Sequence, residues 1–269
     1  MQRYNIIGDI HGRTKWRMLV VDDATNIFLG DYFDPYSSMS FDDMKVNFLE
    51  IKEYCMEHGG VMLMGNHDLH YFHHEESSRM DIDSKDEIKE LLGGIVSESS
   101  IAYAINESII CSHAGFTDPW VRVESEIRSE YKLDETSDAC RLADFANELF
   151  CKQYYDMCNG KTGELLPSFR FGNHARHIDS YGISPAQSPV WVRPETLCQY
   201  AFNKQKITQI VGHTQQYGIR RISLTPANPG PELILVDCLE HPTAQSLLIT
   251  LNDDGTTKSE INYMYRQTL

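Results

Sequence analysis

Tyr4-Asn5-Ile6-Ile7-Gly8-Asp9-Ile10-His11-Gly12 is a short apolar run that stops on a glycine and then delivers an aspartate and a histidine. The same pattern recurs twice. Asn26-Ile27-Phe28-Leu29 runs into Gly30-Asp31-Tyr32-Phe33-Asp34, and Val61-Met62-Leu63-Met64 runs into Gly65-Asn66-His67-Asp68. Short apolar runs bounded by glycine read as buried strands. Residues 13–21 between the first two predict a helix. Residues 40–57 predict another, capped by Ser40 with Asp43 three residues on, carrying Met44, Phe48, Ile51 and Cys55 as its core face and stopped by Gly59-Gly60. A strand-helix-strand-helix-strand rhythm implies parallel strands, with ligands at their carboxyl ends.

The pattern continues further along. Residues 108–111 form a fourth apolar run ending in Ser112-His113-Ala114-Gly115, and residues 207–211 a fifth ending in Gly212-His213-Thr214. Strands are also expected at 217–223, 233–236, 246–251 and 261–265, and helices at 119–131 and 138–157. Residues 159–190 hold Gly160, Gly163, Pro167, Gly172, Gly182, Pro185 and Pro189, which marks a long loop. The expectation is one α/β domain over residues 1–269, with a helical and loop insertion at about 116–190.

Composition narrows the function. The 269 residues are 41% hydrophobic and 23% charged, ordinary globular usage. A formal charge of −15 repels phosphate backbones and anionic bilayers, so neither general nucleic-acid binding nor a membrane partner is expected. Any phosphate chemistry then needs a local positive centre, for which bound metal ions are the obvious source. The seven cysteines are scattered without a CxxC pair, which fits reduced thiols in a cytoplasmic protein. The opening residues contain no basic, apolar leader pattern. Oligomeric state leaves no trace in the sequence.

An aspartate or histidine after one strand is ordinarily a turn or capping residue. Five strand ends delivering Asp, His, Asn and Gly to one sheet edge make a metal site instead. Carboxylate, imidazole and amide oxygen suit divalent manganese first, with iron or zinc as alternatives. His70, His73 and His74 have helical spacing and read as a solvated helix face. Gly172-Asn173-His174 follows no strand and reads as coincidence.

GDIHG, GDYFD, GNHD, SHAG and VGHT, in that order over residues 8–214, resemble the calcineurin-like metallophosphoesterases. More narrowly they are similar to the phosphoprotein phosphatase branch, which includes bacterial Ser/Thr protein phosphatases and symmetrical diadenosine tetraphosphatases. The resemblance implies an α/β/β/α sandwich of two mixed sheets and two divalent metal ions. Asp9 and His11 would bind the first ion, Asp31 would bridge, and Asn66, His113 and His213 would complete the second. It further implies a metal-bridged hydroxide attacking phosphorus in line, with His67 as general acid and Asp34 orienting it. Gln215 stands where broader metallophosphoesterases have a second histidine, which favours the phosphoprotein phosphatase branch. Arg193, after Trp191-Val192, resembles the later phosphate-binding arginine; a surface ion pair is its plainer reading.

Pro35 departs from the pattern, because protein phosphatases carry an arginine directly after GDxxD. Arg13, Arg170 or Arg176 are the candidates to replace it. The substrate expected is a phosphorylated protein, with diadenosine polyphosphates or other nucleotides as the alternative and nucleic-acid ends a distant third. A non-catalytic phosphate-binding module would also explain Pro35, but it would not need Asp34 and His67.

Overall fold

Alternation decides which way each strand faces. Along β1 (Gln2–Ile7) and β2 (Thr25–Phe28), Ile6 and Ile27 join a core with Cys111, Ile210, Ile234 and Leu247, while Ile7 and Phe28 join a different one with Phe48 and Ile51. A period of two requires this split. The first core lies between two sheets. The second lies under helices, chiefly α1 (Phe41–His58) and α5 (Ala139–Cys158).

The computed structural model describes residues 1–72, 78–97, 99–127, 132–159, 171, 183–227 and 229–264. One five-stranded sheet has the order β10-β9-β1-β2-β3, with β3 at Val61–Met62, β9 at Gln245–Leu251 and β10 at Thr257–Tyr263. In it β1, β2 and β3 are parallel, and β9 runs antiparallel to both β1 and β10. The other sheet has the order β4-β5-β6-β8-β7, comprising β4 (Ala102–Asn106), β5 (Ile109–Ser112), β6 (Thr208–Val211), β7 (Arg220–Ser223) and β8 (Glu232–Leu235). Here β5, β6 and β8 are parallel, with antiparallel β4 and β7 at the edges. Both sheets are mixed, and helices cover the outer faces: the α/β/β/α sandwich that the motifs imply.

Local chemistry explains the element ends. Ser40 Oγ accepts from the Asp43 N–H at 3.1 Å, and α1 stops at Gly59 with φ 69°. The helix expected over 13–21 shrinks to a 3-10 turn at Lys15–Met18. Two buried asparagines intercept its backbone: Asn5 Nδ2 donates to the Leu19 carbonyl at 2.9 Å, and Asn26 Oδ1 accepts from the Val21 N–H at 3.1 Å. The strand expected over 61–64 keeps only Val61–Met62. The chain then leaves β2, with Met64 N–H donating to the Ser100 carbonyl at 2.7 Å. β10 starts earlier than expected, at Thr257. Four elements had no forecast: α2 (Asn66–Leu69), α3 (Lys85–Gly93), β4 and α6 (Pro194–Tyr200). Helix α4 covers Asp118–Ile127. Most of the loop expected over 159–190 lies outside the described residues. All seven cysteines are free. Among the described residues, no helix is long and apolar enough to cross a membrane.

Candidate metal centre

The site sits where parallel strands end. Asp9 and His11 follow β1, Asp31 and Asp34 follow β2, Asn66 and His67 open α2 after β3, His113 follows β5, and His213 follows β6. The turns are strained to aim these side chains. Among the described residues, six non-glycine residues have left-handed φ, and His11 (43°), Asp31 (53°), Asp34 (57°), Arg79 (70°) and His213 (61°) are five of them. Each such conformation costs on the order of 1–3 kcal/mol, and such strain gathers at functional sites. Glycine makes room as well. A Cβ at Gly65 would stand 2.1 Å from Asp31 Oδ1, and one at Gly212 would stand 2.1 Å from Asp9 Oδ1.

The six proposed ligands form one contiguous cluster, buried except at half-buried His213. Single ligand atoms of Asp9, His11 and Asp31 lie within 4.8 Å of one another. His113 Nε2 is 3.5 Å from Asp31 Oδ2 and 3.0 Å from Asn66 Oδ1, while His213 Nδ1 is 2.9 Å from that same amide oxygen. Backbone carbonyls fix the tautomers, since a carbonyl only accepts. His11 Nδ1 faces the Phe33 and Asp34 carbonyls at 3.0 Å, His113 Nδ1 faces Leu29 at 2.8 Å, and His213 Nε2 faces Trp191 at 3.1 Å. In the neutral ring, the form that binds a metal, those nitrogens carry the proton, so His11 Nε2, His113 Nε2 and His213 Nδ1 would turn lone pairs inward. In that form two lone pairs would converge on the Asn66 oxygen with no proton between them. That arrangement is repulsive unless a cation lies among them, and oxygen and imidazole donors fit a divalent ion.

The electrostatics agree. Burial, and then Asp31 beside it, pushes the Asp9 carboxyl up to about 8. Burial would raise Asp31 too, but the rings of His113, His67 and His11, when protonated in the metal-free protein, hold it well below the usual range. Burial, with Arg193 and His113 nearby, holds His213 well below an ordinary histidine, in the neutral form a metal requires.

Beside the cluster, His67 Nδ1 donates to Asp34 Oδ2 at 2.7 Å, and the Tyr71 hydroxyl donates to Asp34 Oδ1 at 2.5 Å. Arg193 Nη1 donates to the His213 carbonyl at 3.2 Å and to Thr214 Oγ1 at 3.1 Å, which brings it against a ligand residue. Arg13, a candidate to replace the missing arginine, has Nε on Glu240 at 2.6 Å and Nη1 on the Asp9 carbonyl at 3.2 Å, which leaves its buried Nη2 without a hydrogen-bond partner. His70 is not on a solvated face: it is buried, edge-on to His67 at 5.2 Å and to Trp191 at 5.5 Å. An apolar-aromatic wall surrounds it that helical spacing alone does not reveal. His73, His74, Arg170, His174 and Arg176 lie outside the described residues.

Asp68, quoted after the third apolar run, was given no role from the sequence, and Asp237 and Arg79 were not singled out. Asp68 accepts from the N–H groups of Asp31 (2.7 Å), Tyr32 (2.9 Å) and Gly65 (2.9 Å), locking the turns after β2 and β3 together. Asp237 follows β8 and is buried within electrostatic reach of the Asp9 carboxyl. Burial and Asp9 push it well above the carboxylate range, and its Oδ1 has no hydrogen-bond partner. Its signal was present, an apolar run ending in aspartate, but without the glycine that marked the others. Arg79 reaches His67 from a segment carrying no motif.

A family model described as calcineurin-like phosphoesterase matches residues 3–217. No curated protein matches the chain. Among solved structures, it is similar to the cold-active protein-tyrosine phosphatase of a psychrophilic Shewanella species, at 17% identity and a TM-score of 0.56, covering 96% of this chain and 80% of that one. A second structure of a cold-active protein tyrosine phosphatase matches at 19% identity and a TM-score of 0.54, covering 96% and 78%. At those identities the likeness is one of fold.

Proposed function

Because the chain belongs to the calcineurin-like phosphoesterases, metal-dependent hydrolases of phosphoesters, we propose that it is a phosphomonoesterase of the Ser/Thr protein phosphatase kind. The observation that carries this reading is the His67–Asp34 pair, 2.7 Å apart beside the ligand cluster. A module that only bound phosphate would have no use for an oriented proton donor.

Asp9, His11 and Asp31 would hold one divalent ion, and Asp31, Asn66, His113 and His213 a second. A donor set of oxygen and imidazole without thiolate supports manganese. Bound ions supply charge for the phosphoryl oxygens and make water nucleophilic at neutral pH. The protein's own residues do the rest. Cationic His67 gives its Nε2 proton to the leaving oxygen, while Nδ1–H stays on Asp34 and keeps the ring aimed. The Tyr71 hydroxyl holds the other Asp34 oxygen, so the carboxylate cannot swing away. Arg193 offers its remaining guanidinium donors to the phosphoryl group.

The insertion over about 116–190 would border the opening. Its far end is tied to the site, because the Pro189 carbonyl accepts from Ala114 at 2.7 Å and Gly115 at 3.2 Å, directly after His113. Loops held this way on a rigid scaffold commonly set specificity. Free cysteines support a cytoplasmic setting.

The test is a panel with the Mn²⁺-loaded protein: a phosphoserine peptide, p-nitrophenyl phosphate and diadenosine tetraphosphate. We expect turnover of the first two. Preference for diadenosine tetraphosphate would move the substrate to the nucleotide class, and no turnover of any would leave a binding module.

A further inference from the structure

With Pro35 in place of an arginine, the reading above gives the phosphoryl group only one guanidinium. A second one is already at the site, from another part of the chain. Arg79 Nη2 lies 3.0 Å from His67 Nε2, and its Nη1 donates to the Asp34 carbonyl at 2.6 Å. Its guanidinium carbon sits 3.7 Å from the centre of the Tyr36 ring. That ring is half-exposed and meets His11 edge-on at 4.9 Å, so it bridges the guanidinium and the ligand cluster.

Three features make this arginine more than a surface cation. Among the described residues no carboxylate side chain pairs with it, in a protein whose formal charge is −15. Its partners are a carbonyl, an aromatic face and an imidazole nitrogen. Its backbone is held in the left-handed region at φ 70°, the strain shared by His11, Asp31, Asp34 and His213. Its Nη2 occupies the hydrogen-bonding position of His67 Nε2, the atom assigned to meet the leaving oxygen, so it is within reach of the same phosphoryl group.

We propose that Arg79 binds the phosphoryl group of the substrate, taking over the contact that residue 35 lacks, with Tyr36 as the platform that aims it. The proposal rests on the reading of His67 as the group facing the leaving oxygen. A phosphate dianion is a far better acceptor for a guanidinium than an imidazole nitrogen. On binding, Nη2 exchanges His67 Nε2 for a phosphoryl oxygen, and Nη1 keeps its hold on the Asp34 carbonyl. The exchange also frees the Nε2 lone pair, which takes up a proton from solvent and can then pass it to the leaving oxygen.

The experiment compares wild type, Arg79→Ala, Arg79→Lys and Tyr36→Leu as full-length, Mn²⁺-loaded proteins. It measures KM and kcat on p-nitrophenyl phosphate, the inhibition constant of inorganic phosphate, and phosphate binding by calorimetry. Losing a charge-assisted fork predicts roughly a 10–100-fold rise in KM and in the phosphate constant for Arg79→Ala, with a smaller change in kcat. Arg79→Lys should recover part of the loss, since a point charge replaces a fork. Tyr36→Leu should weaken phosphate binding several-fold while leaving metal content intact. Should Arg79→Ala not fold, the Lys and Tyr36 variants carry the test. Phosphate constants within twofold of wild type in every folded variant overturn the proposal. If wild type turns over nothing yet binds phosphate, and Arg79→Ala or Arg79→Lys binds it more weakly, the catalytic reading fails and this one stands.

Discussion

A methyl group at Gly65 would collide with Asp31 Oδ1 and lie 2.6 Å from the His113 ring. Neither neighbour can yield without leaving the ligand cluster. Gly65→Ala and Gly212→Ala should therefore weaken metal binding by roughly 10–100-fold, the usual cost of disturbing what orients ligands. Metal titration on variants with native circular dichroism checks this, and unchanged affinity would refute it. His67 makes a different demand. His67→Ala should lose roughly 10²–10⁴-fold on a phosphoserine peptide, whose alkoxide needs a proton to leave. On p-nitrophenyl phosphate, whose leaving anion is stable, the loss should be much smaller. Asp34→Asn should follow the same pattern more weakly. Equal losses on both substrates would assign His67 to attack or binding, and loss of metal would make it a ligand. The proposed ligands could be singled out from sequence because each stands directly after an apolar run, and the structure brings them together. Arg79 could not, because its place at His67 depends on a long-range approach that leaves no local pattern.

Elements were legible where burial imposes a period. Met44, Phe48, Ile51 and Cys55 line the buried face of α1, and Ser40 and Gly59 mark its ends as the sequence suggests. β4 was not legible: Ala102-Tyr103-Ala104-Ile105-Asn106 has few β-branched residues, and its register slips between Ala104 and Asn106. What holds it is a side chain from elsewhere. Asn147 of α5 accepts from the N–H groups of Ile101 at 2.9 Å and Ala102 at 3.1 Å, and donates to the Ala102 carbonyl at 2.8 Å. Asn147→Leu strands three buried backbone groups at roughly 1–3 kcal/mol each. We expect a loss of at least about 2 kcal/mol in urea unfolding with an unchanged m value; a loss below about 0.5 kcal/mol would mean that β4 finds other partners.

At the scale of the whole molecule, four buried carboxyls (Asp9, Asp31, Asp68 and Asp237) surround one point. Asp9 is raised to about 8, and burial with a neighbouring carboxylate raises Asp237 and Asp68 as well. A raised carboxyl stabilises the fold fully below its ordinary value of 3.8 and loses that contribution as pH rises through the folded value. Asp31 and His213 are lowered and run the other way, but their losses come as pH falls, below about 3.8 and 6.5. Between pH 6.5 and 8, then, the metal-free protein should lose stability as pH rises. A divalent ion binds the ionised carboxylates, so the melting temperature gained from Mn²⁺ over chelator should be larger at pH 8 than at pH 6.5. Equal gains would contradict the charge balance. The sheet order has a consequence for synthesis. Asp9 and the His213 N–H that it accepts from are 204 residues apart, and β1 pairs with β9 from Gln2 opposite Leu251. At roughly 5–20 residues per second, His213 leaves the ribosome roughly 10–40 s after Asp9. If the proposed centre holds metal, the acidic turns after β1 and β2 spend that interval as an incomplete chelate, closed only by a segment that emerges long after them.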